Sequence, residues 1–420
     1  MNKTIKLAVA GAVLSAASIA NAGIIIPAGE WTMDINGNVN HFAIVENSDN
    51  NAAIAGGIAT TAGSTGSPDR VTQNTGLLPA WLGFTGTTRQ NDLDVSFTIS
   101  FQPGTSTRNA LAGGGATENR QAFITFGDKS WGSVKIGKDL GIYGSDAILS
   151  DMTLLGVGGT GLLGAIGNGT TTTLGHIGTG YMYADWKGQI AYTTPNMNGF
   201  QATVGIIQPW NTLNLGGNQL AAAIPVAVQG VSAGTAGAHE SYGFEAKASY
   251  SMDMGKIWVG YITQDVDSLR ANGIAQTNVD NDAHSAEIGA TLNFGNASLT
   301  GYYYTGEGAG TTGFLMDGFD SAGNSRDSDG AFVQATYVIP AGTKVGVSYG
   351  RSDLDATAAD RLNVVNLVSR NEMWTVGAYH PLTKHLNLVA EYNDTTTESM
   401  SAVVADNESD SISVGAILFF

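Results

Sequence analysis

Past its first thirty residues this sequence alternates apolar and polar side chains, segment after segment, with a period of two. Residues 242–250 place Tyr242, Phe244, Ala246, Ala248 and Tyr250 on one face and Gly243, Glu245, Lys247 and Ser249 on the other. Residues 284–294 do the same, with Ala286, Ile288, Ala290, Leu292 and Phe294 set against Ser285, Glu287, Gly289, Thr291 and Asn293. In 344–350, Val345, Val347 and Tyr349 oppose Lys344, Gly346, Ser348 and Gly350. Side chains of an extended strand point alternately to its two faces, so each segment predicts a strand with one greasy and one wet side.

About 16 such segments follow one another, roughly at 31–45, 78–87, 92–102, 120–127, 130–138, 186–194, 199–208, 240–251, 255–266, 283–294, 296–305, 329–340, 342–352, 369–381, 384–394 and 410–420. Their connections alternate in length. Short ones lie near Thr87–Asn91, Asp128–Lys129, Pro195–Asn198, Asp253–Met254, Gly295, Ala341 and Leu382–Thr383. Long ones lie near 46–77, 103–119, 139–185, 209–239, 267–282, 306–328, 353–368 and 395–409. All short turns on one rim and all long loops on the other is the pattern of an outer-membrane barrel, and a soluble sandwich lacks it. The expected fold is all-β: a 16-stranded antiparallel transmembrane barrel in a single domain, 23–420.

The physics of the bilayer agrees. Hydrocarbon tolerates only spans whose backbone groups are all paired, so an exposed sheet must close on itself, and closure removes the sticky edges. Hydrophobic residues make up 43% and charged residues 13% of the chain. A soluble domain carries about twice that charged share. A helical membrane protein would show apolar runs of about 20 residues, and none is found beyond the N-terminus. Trp31, Tyr192, Trp210, Tyr250, Trp258, Trp374 and Tyr392, near strand ends, are candidates for interfacial aromatic belts.

Residues 1–22 read as a secretory signal. Lys3 and Lys6 start it, Leu7 to Ala20 is its apolar stretch, and Ala20-Asn21-Ala22 is a small-x-small cleavage site, so the mature chain should begin at Gly23. The competing reading is an N-terminal anchor, for which the apolar stretch is short. Loss of Lys3 and Lys6 lowers the formal charge of −17 by two further units. There is no Cys, so thiol catalysis, Cys-ligated zinc and iron–sulfur sites are excluded.

Several anchors resemble the Gram-negative general porins. Gly37-Asn38-Val39-Asn40 and Leu82-Gly83-Phe84-Thr85-Gly86 are similar to the family's first two strands. Arg120-Gln121-Ala122-Phe123, Phe126-Gly127 and Trp131 to Lys138 resemble the hairpin that leads to the constriction loop. Ile190 to Pro195 with Asn198-Gly199-Phe200 resembles the strand-turn-strand after it, and Leu382-Thr383-Lys384 with Glu391-Tyr392 the penultimate hairpin. Phe420 ends the chain on the face shared by Ile412, Val414, Ala416 and Leu418. The resemblance implies a homotrimer in the Gram-negative outer membrane, among lipid and lipopolysaccharide. It gives Phe420 a second role, as part of the signal read by the barrel-assembly machinery.

The resemblance further implies a water-filled pore for passive diffusion of ions and small hydrophilic solutes, with the third long loop, 139–185, folded inward. In the family, acids of that loop face a basic cluster on the wall, and the crossed field sorts solutes. The candidates here are Lys135, inward by parity, and Lys138, which parity points outward unless the strand bends. Asp139, Asp146 and Asp151 are the loop's early acids, and Asp146 and Asp151 either line the pore or serve as loop hydrogen bonds and caps. No Asp or Glu occurs between Met152 and Ala184, and Asp185 stands where related proteins often carry a base. Acids crowd the other long loops, among them Asp353, Asp355, Asp360, Glu398, Asp406 and Glu408, which predicts mild cation selectivity at the mouth. The weakly charged constriction keeps a substrate-selective channel of the same fold as the alternative.

Other chemistry has little support. Gly159 to Gly164 fits G-x-G-x-x-G without a βαβ context, as expected by chance among 57 glycines. The six His lack metal-ligand spacing, no nucleophile elbow is present, and the acidic charge disfavours nucleic acid. The expectation is no cofactor and no enzymatic activity, with a barrel enzyme or an adhesin as more distant readings.

Overall fold

The computed structural model describes residues 23–49, 51–61, 68–105, 117–160, 172–211, 241–271, 274–320, 323–363 and 366–420. The expected leader and most of connections 103–119 and 209–239 lie outside them. The strands are β1 (Ile24–Ala28), β2 (Trp31–Ser48), β3 (Asp69–Asn74), β4 (Trp81–Gln90), β5 (Leu93–Pro103), β6 (Thr117–Asp128), β7 (Gly132–Leu140), β8 (Trp186–Thr193), β9 (Phe200–Ile207) and β10 (Gly243–Met252). They continue with β11 (Gly255–Ala271), β12 (Ile274–Phe294), β13 (Ala297–Glu307), β14 (Asp327–Val338), β15 (Lys344–Leu354), β16 (Val368–Pro381), β17 (Leu386–Ser399) and β18 (Asn407–Phe419). Two short helices, α1 (Ser145–Ser150) and α2 (Ala358–Asn363), interrupt the connections.

From β4 to β18 each strand pairs antiparallel with the next. The sheet closes where β18 pairs with β2, Ser409 opposite Ser48 through Phe419 opposite Asn38. The result is a closed 16-strand antiparallel barrel, as expected. The extra segments share staves. β3 pairs with 42–47 and β4 with 32–38 of the long strand β2, so together they form its one neighbour. On the other side of β2, β1 pairs with 31–35 and β18 with 38–48.

The strands have the polarity of a protein turned inside out. Val39, Ile124, Ile190, Ile288, Val333, Val376 and Ile412 are each about half exposed, whereas the intervening Asn40, Ser285, Glu287, Ser348, Thr375, Glu391 and Ser413 are buried. An apolar face turned outward fits lipid as solvent, and the polar face turned inward must find partners within the barrel. Tight turns close the short rim. Between β4 and β5 only Asn91 and Asp92 intervene, with φ of 48° and 62°, the left-handed geometry that matches the twist of a hairpin.

Three sequence expectations change. The connection expected at 267–282 is a continued hairpin whose pairing runs out to Ala271 opposite Ile274, because a ladder already formed can extend into water past the apolar band. β1 and β3 were too short to show a period. Trp258, read as an interfacial aromatic, faces the interior at 2% exposure, on the same parity as Gly260. Tyr192, Tyr250, Trp374 and Tyr392 do lie on the outer face.

Candidate functional site

Part of the polar inner face finds its partners in the connection between β7 and β8, described at 141–160 and 172–185. Three wall glutamates receive its backbone. Glu245 of β10 accepts from the Ile142 amide at 2.6 Å and the Tyr143 amide at 3.2 Å. Glu287 of β12 accepts from the Gly144 amide at 3.2 Å and the Tyr302 hydroxyl at 2.7 Å. Glu391 of β17 accepts from the Val157 and Gly158 amides at 2.8 and 2.9 Å and from the Tyr379 hydroxyl at 2.7 Å. Between them, the Met152 amide donates to Gln334 Oε1 of β14 at 2.6 Å, and the Gly180 amide to Ser352 Oγ of β15 at 3.0 Å. Hydrogen bonds to a carboxylate are the strong kind, and each buried glutamate would be costly without them.

Local chemistry shapes the connection between these anchors. Gly144, at φ 73°, turns the chain into α1, a conformation that a residue with a Cβ adopts at a cost. Asp151 then caps a single 3-10 turn, Met152–Leu155, accepting from the Thr153 amide at 2.9 Å. Its other oxygen accepts from the Tyr181 hydroxyl at 2.7 Å and the His176 amide at 3.1 Å, which joins the two described halves. His176 is fully buried, with Ser348 Oγ 2.8 Å from Nε2, and burial holds its pKa below the ordinary value.

The sequence-predicted residues fall in different places. Asp146, buried on α1, forms ion pairs with Lys247 of β10, at 3.2 Å, and with Lys256 of β11. Burial alone would raise its pKa, but attraction to the two ammonium groups outweighs that and holds the carboxyl below the usual carboxylate range. Asp151 makes the cap and loop bonds just described. Lys135 pairs with Asp139 four residues on, and Asp139 also accepts from Gln121 Nε2 at 3.0 Å. Both share the inner face of β7. Lys138 is exposed on the parity of Ile136, whose side chain is on the outer face, and the β6–β7 register runs through it without a shift. Phe420 continues the closing seam, its amide and carbonyl both bonded to Gly37.

Lys247 and Lys256 escaped the sequence reading, as did the three anchoring glutamates. The signal for four of them was present, since alternation already sets Glu245, Lys247 and Glu287 on polar faces and Glu391 lies in the porin-like penultimate hairpin. What each faces across the interior depends on the path of the connection, which alternation does not encode. Lys187 of β8 adds a further cation, 2.6 Å from Glu245 and 4.6 Å above the Trp210 ring.

Two other connections also pack here. The Ile58 amide donates to Asn371 Oδ1 at 2.9 Å, and the Tyr183 amide to the Thr312 carbonyl at 2.8 Å. Phe314, Leu315 and Phe319 join Tyr143, Ile148, Tyr181, Tyr302 and Tyr304 in one buried apolar cluster. Buried Arg326 ties 308–326 to α2 by a bidentate pair with Asp360, at 2.7 and 2.8 Å, and donates to the carbonyls of Asp317 and Phe319. Among the described residues no group of three or more His, Asp or Glu could hold a metal.

Comparison with known proteins follows this architecture. The structure of the outer membrane channel DcaP of Acinetobacter baumannii superposes with a TM-score of 0.66 at 15% identity, over 95% of this chain and all of that one. OmpT, an outer membrane protein of Vibrio cholerae, gives 0.55 at 14% identity, over 94% of this chain and all of its own. Salmonella typhi OmpF, solved in complex with daunomycin, gives 0.55 at 17%, with 94% and 100% covered. At such identities the likeness is one of fold. No curated protein sequence matches significantly. The family model described as Gram-negative porin matches residues 7–399, nearly the whole chain. The chain therefore belongs to the Gram-negative porin family and forms an outer-membrane channel.

Proposed function

We propose that this channel is a water-filled pore for passive diffusion of ions and small hydrophilic solutes, without enzymatic chemistry, and that the 141–185 connection folds into the barrel to narrow it. The observation that carries this reading is the set of bonds from that connection to inner-face side chains on β10, β12, β14, β15 and β17. Around α1, Lys247 and Lys256 outnumber Asp146, so that part of the connection contributes no net negative charge. The mild cation preference rests instead on acids of the long connections and of the strand ends beside them, such as Asp355, Asp406 and Glu408, over the mouth. The working unit is a homotrimer, as one structure of Vibrio OmpT is described, exported with residues 1–22 as its leader, assembled through a terminal signal that includes Phe420, and seated among lipopolysaccharide. Planar-bilayer recording tests the core of this. A purified protein that inserts yet never conducts would refute it, and an anion-selective reversal potential would refute the selectivity.

A second reading, a substrate-selective channel of the same fold, is favoured by the apolar and aromatic cluster that three connections build with the inner wall. Liposome swelling with sugars of graded size separates the two. A smooth fall with size supports diffusion, and one solute far off the curve supports selection.

A further inference from the structure

The seam where the barrel closes contains an unfilled acceptor. Along β2, Phe420 is bonded to Gly37 through both its amide and its carbonyl, at 3.0 and 2.9 Å, and Ile24 of β1 stands opposite Ile35. Residue 23 therefore sits in the gap between Phe420 and the first strand. Its backbone lies against the Asp34 carboxylate so closely that a Cβ there would collide with it. Only glycine fits. The Oδ1 atom of Asp34 is buried and has no hydrogen-bond partner. A buried carboxylate oxygen without a donor is a defect that folded proteins rarely leave in place.

We propose that Asp34 is the receptor for the α-ammonium group that removal of residues 1–22 exposes on Gly23. The proposal rests on the reading of those residues as a leader cut after Ala22. Hydrolysis adds water across the Ala22–Gly23 amide. Ala22 leaves with the new carboxylate, and Gly23 keeps the nitrogen as an amine that takes up a proton, since an α-amine has a pKa near 7.7–8.0. Before cleavage residue 23 offers one amide hydrogen and no charge. Afterwards it offers three donors and a positive charge beside the empty Oδ1. Maturation thus pins β1 to β2 at the seam, and the precursor lacks that contact.

The test is a double cycle on the refolded full-length mature protein. Chains beginning at Gly23 and chains with two alanines placed before it are each made with Asp34 and with Asp34→Asn, and urea unfolding is measured. Directly coupled pairs are worth enough to shift an equilibrium by about ten-fold. Asp34→Asn is expected to lower the folding equilibrium of the Gly23-initiated chain by about that factor and to change the extended chain far less. Equal penalties would overturn the assignment. Should Asp34→Asn fail to refold, the pKa of the Gly23 amine, read from the pH dependence of its acylation by peptide mass, decides on the unmutated chain. It is expected above its value in urea, and an unchanged value overturns the proposal. Where Asp34→Asn does refold, a raised value that persists in it also overturns the proposal, since another group at the seam would then be the partner. The intact mass of protein from outer membranes tests the leader separately: a start other than Gly23 ends that reading, whereas a Gly23 start with equal penalties ends only the role of Asp34.

Discussion

Neutralising Asp146 gives the sharpest test of where ions pass. Asp146 shares its carboxylate between Lys247 and Lys256, and its side chain is 8% accessible, against 17% and 37% for the lysines. The trio carries a net charge of one positive unit, and Asp146→Asn doubles it. By Coulomb's law with the dielectric of water, an extra unit charge about 7 Å from a passing ion is worth ~0.6 kcal/mol, close to RT. Cation occupancy should fall by a factor of ~2.7 and anion occupancy rise as much, so the permeability ratio moves ~7-fold toward anions. Lys247→Gln should move it the other way. The assay is the reversal potential across a planar bilayer in a salt gradient, kept dilute because ~0.1 M salt screens beyond about 10 Å. If both variants fold, conduct and reverse at the wild-type voltage, ions do not pass near α1, and the proposed narrowing by this connection is wrong.

Other perturbations probe the anchors. Glu391→Gln weakens charge-assisted bonds to the Val157 and Gly158 amides, each worth about 1.5–3 kcal/mol, and should raise open-channel noise in single-channel records. Arg326→Ala strands Asp360 in a buried site; loss of one member of such a pair costs about 3–5 kcal/mol, which should appear as a lower urea midpoint and faster proteolysis of the 308–326 connection. His176 has a folded pKa below its ordinary 6.5, so an unfolded chain takes up the proton first. The stability from keeping it neutral is complete above pH 6.5 and is lost as pH falls toward the depressed value. Urea midpoints should therefore drop on acidification from that point, more steeply than in His176→Gln.

The barrel was legible because lipid imposes one rule on every strand. Ile288 and Glu287 reveal their faces by parity alone, and the alternation of connection lengths orients the whole. The rule weakens where lipid stops. Past Val266 the β11–β12 ladder continues into water, so the residues there read as loop although their backbones remain paired. Trp258 misled because an aromatic near a strand end suits either an interface or a packed interior, and only what packs against it decides which. The site was legible in residue type and not in pairing. Asp146 and Asp151 were equivalent as loop acids, yet one meets lysines and the other meets an amide, a hydroxyl and its own cap.

That difference suggests how the inner carboxylates divide their work. A buried carboxylate of the inner face can be satisfied by N–H and O–H donors, by cations, or by both. N–H donors come in geometrically fixed pairs, so the glutamates that bind them fix the path of the connection, Glu391 with a tyrosine hydroxyl beside the pair and Glu245 with Lys187 beside it. Lysines are flexible point charges, so under the proposed narrowing Asp146 holds α1 while its charge is still felt by ions in the lumen. Replacing a wall glutamate should therefore alter how steadily the channel stays open with little effect on ion preference, and replacing Asp146 should do the reverse. Measured together on the same channels, noise and reversal potential separate the two classes, and a Glu391→Gln channel with an unaltered noise level but a shifted reversal potential would show that the division drawn from their partners is false.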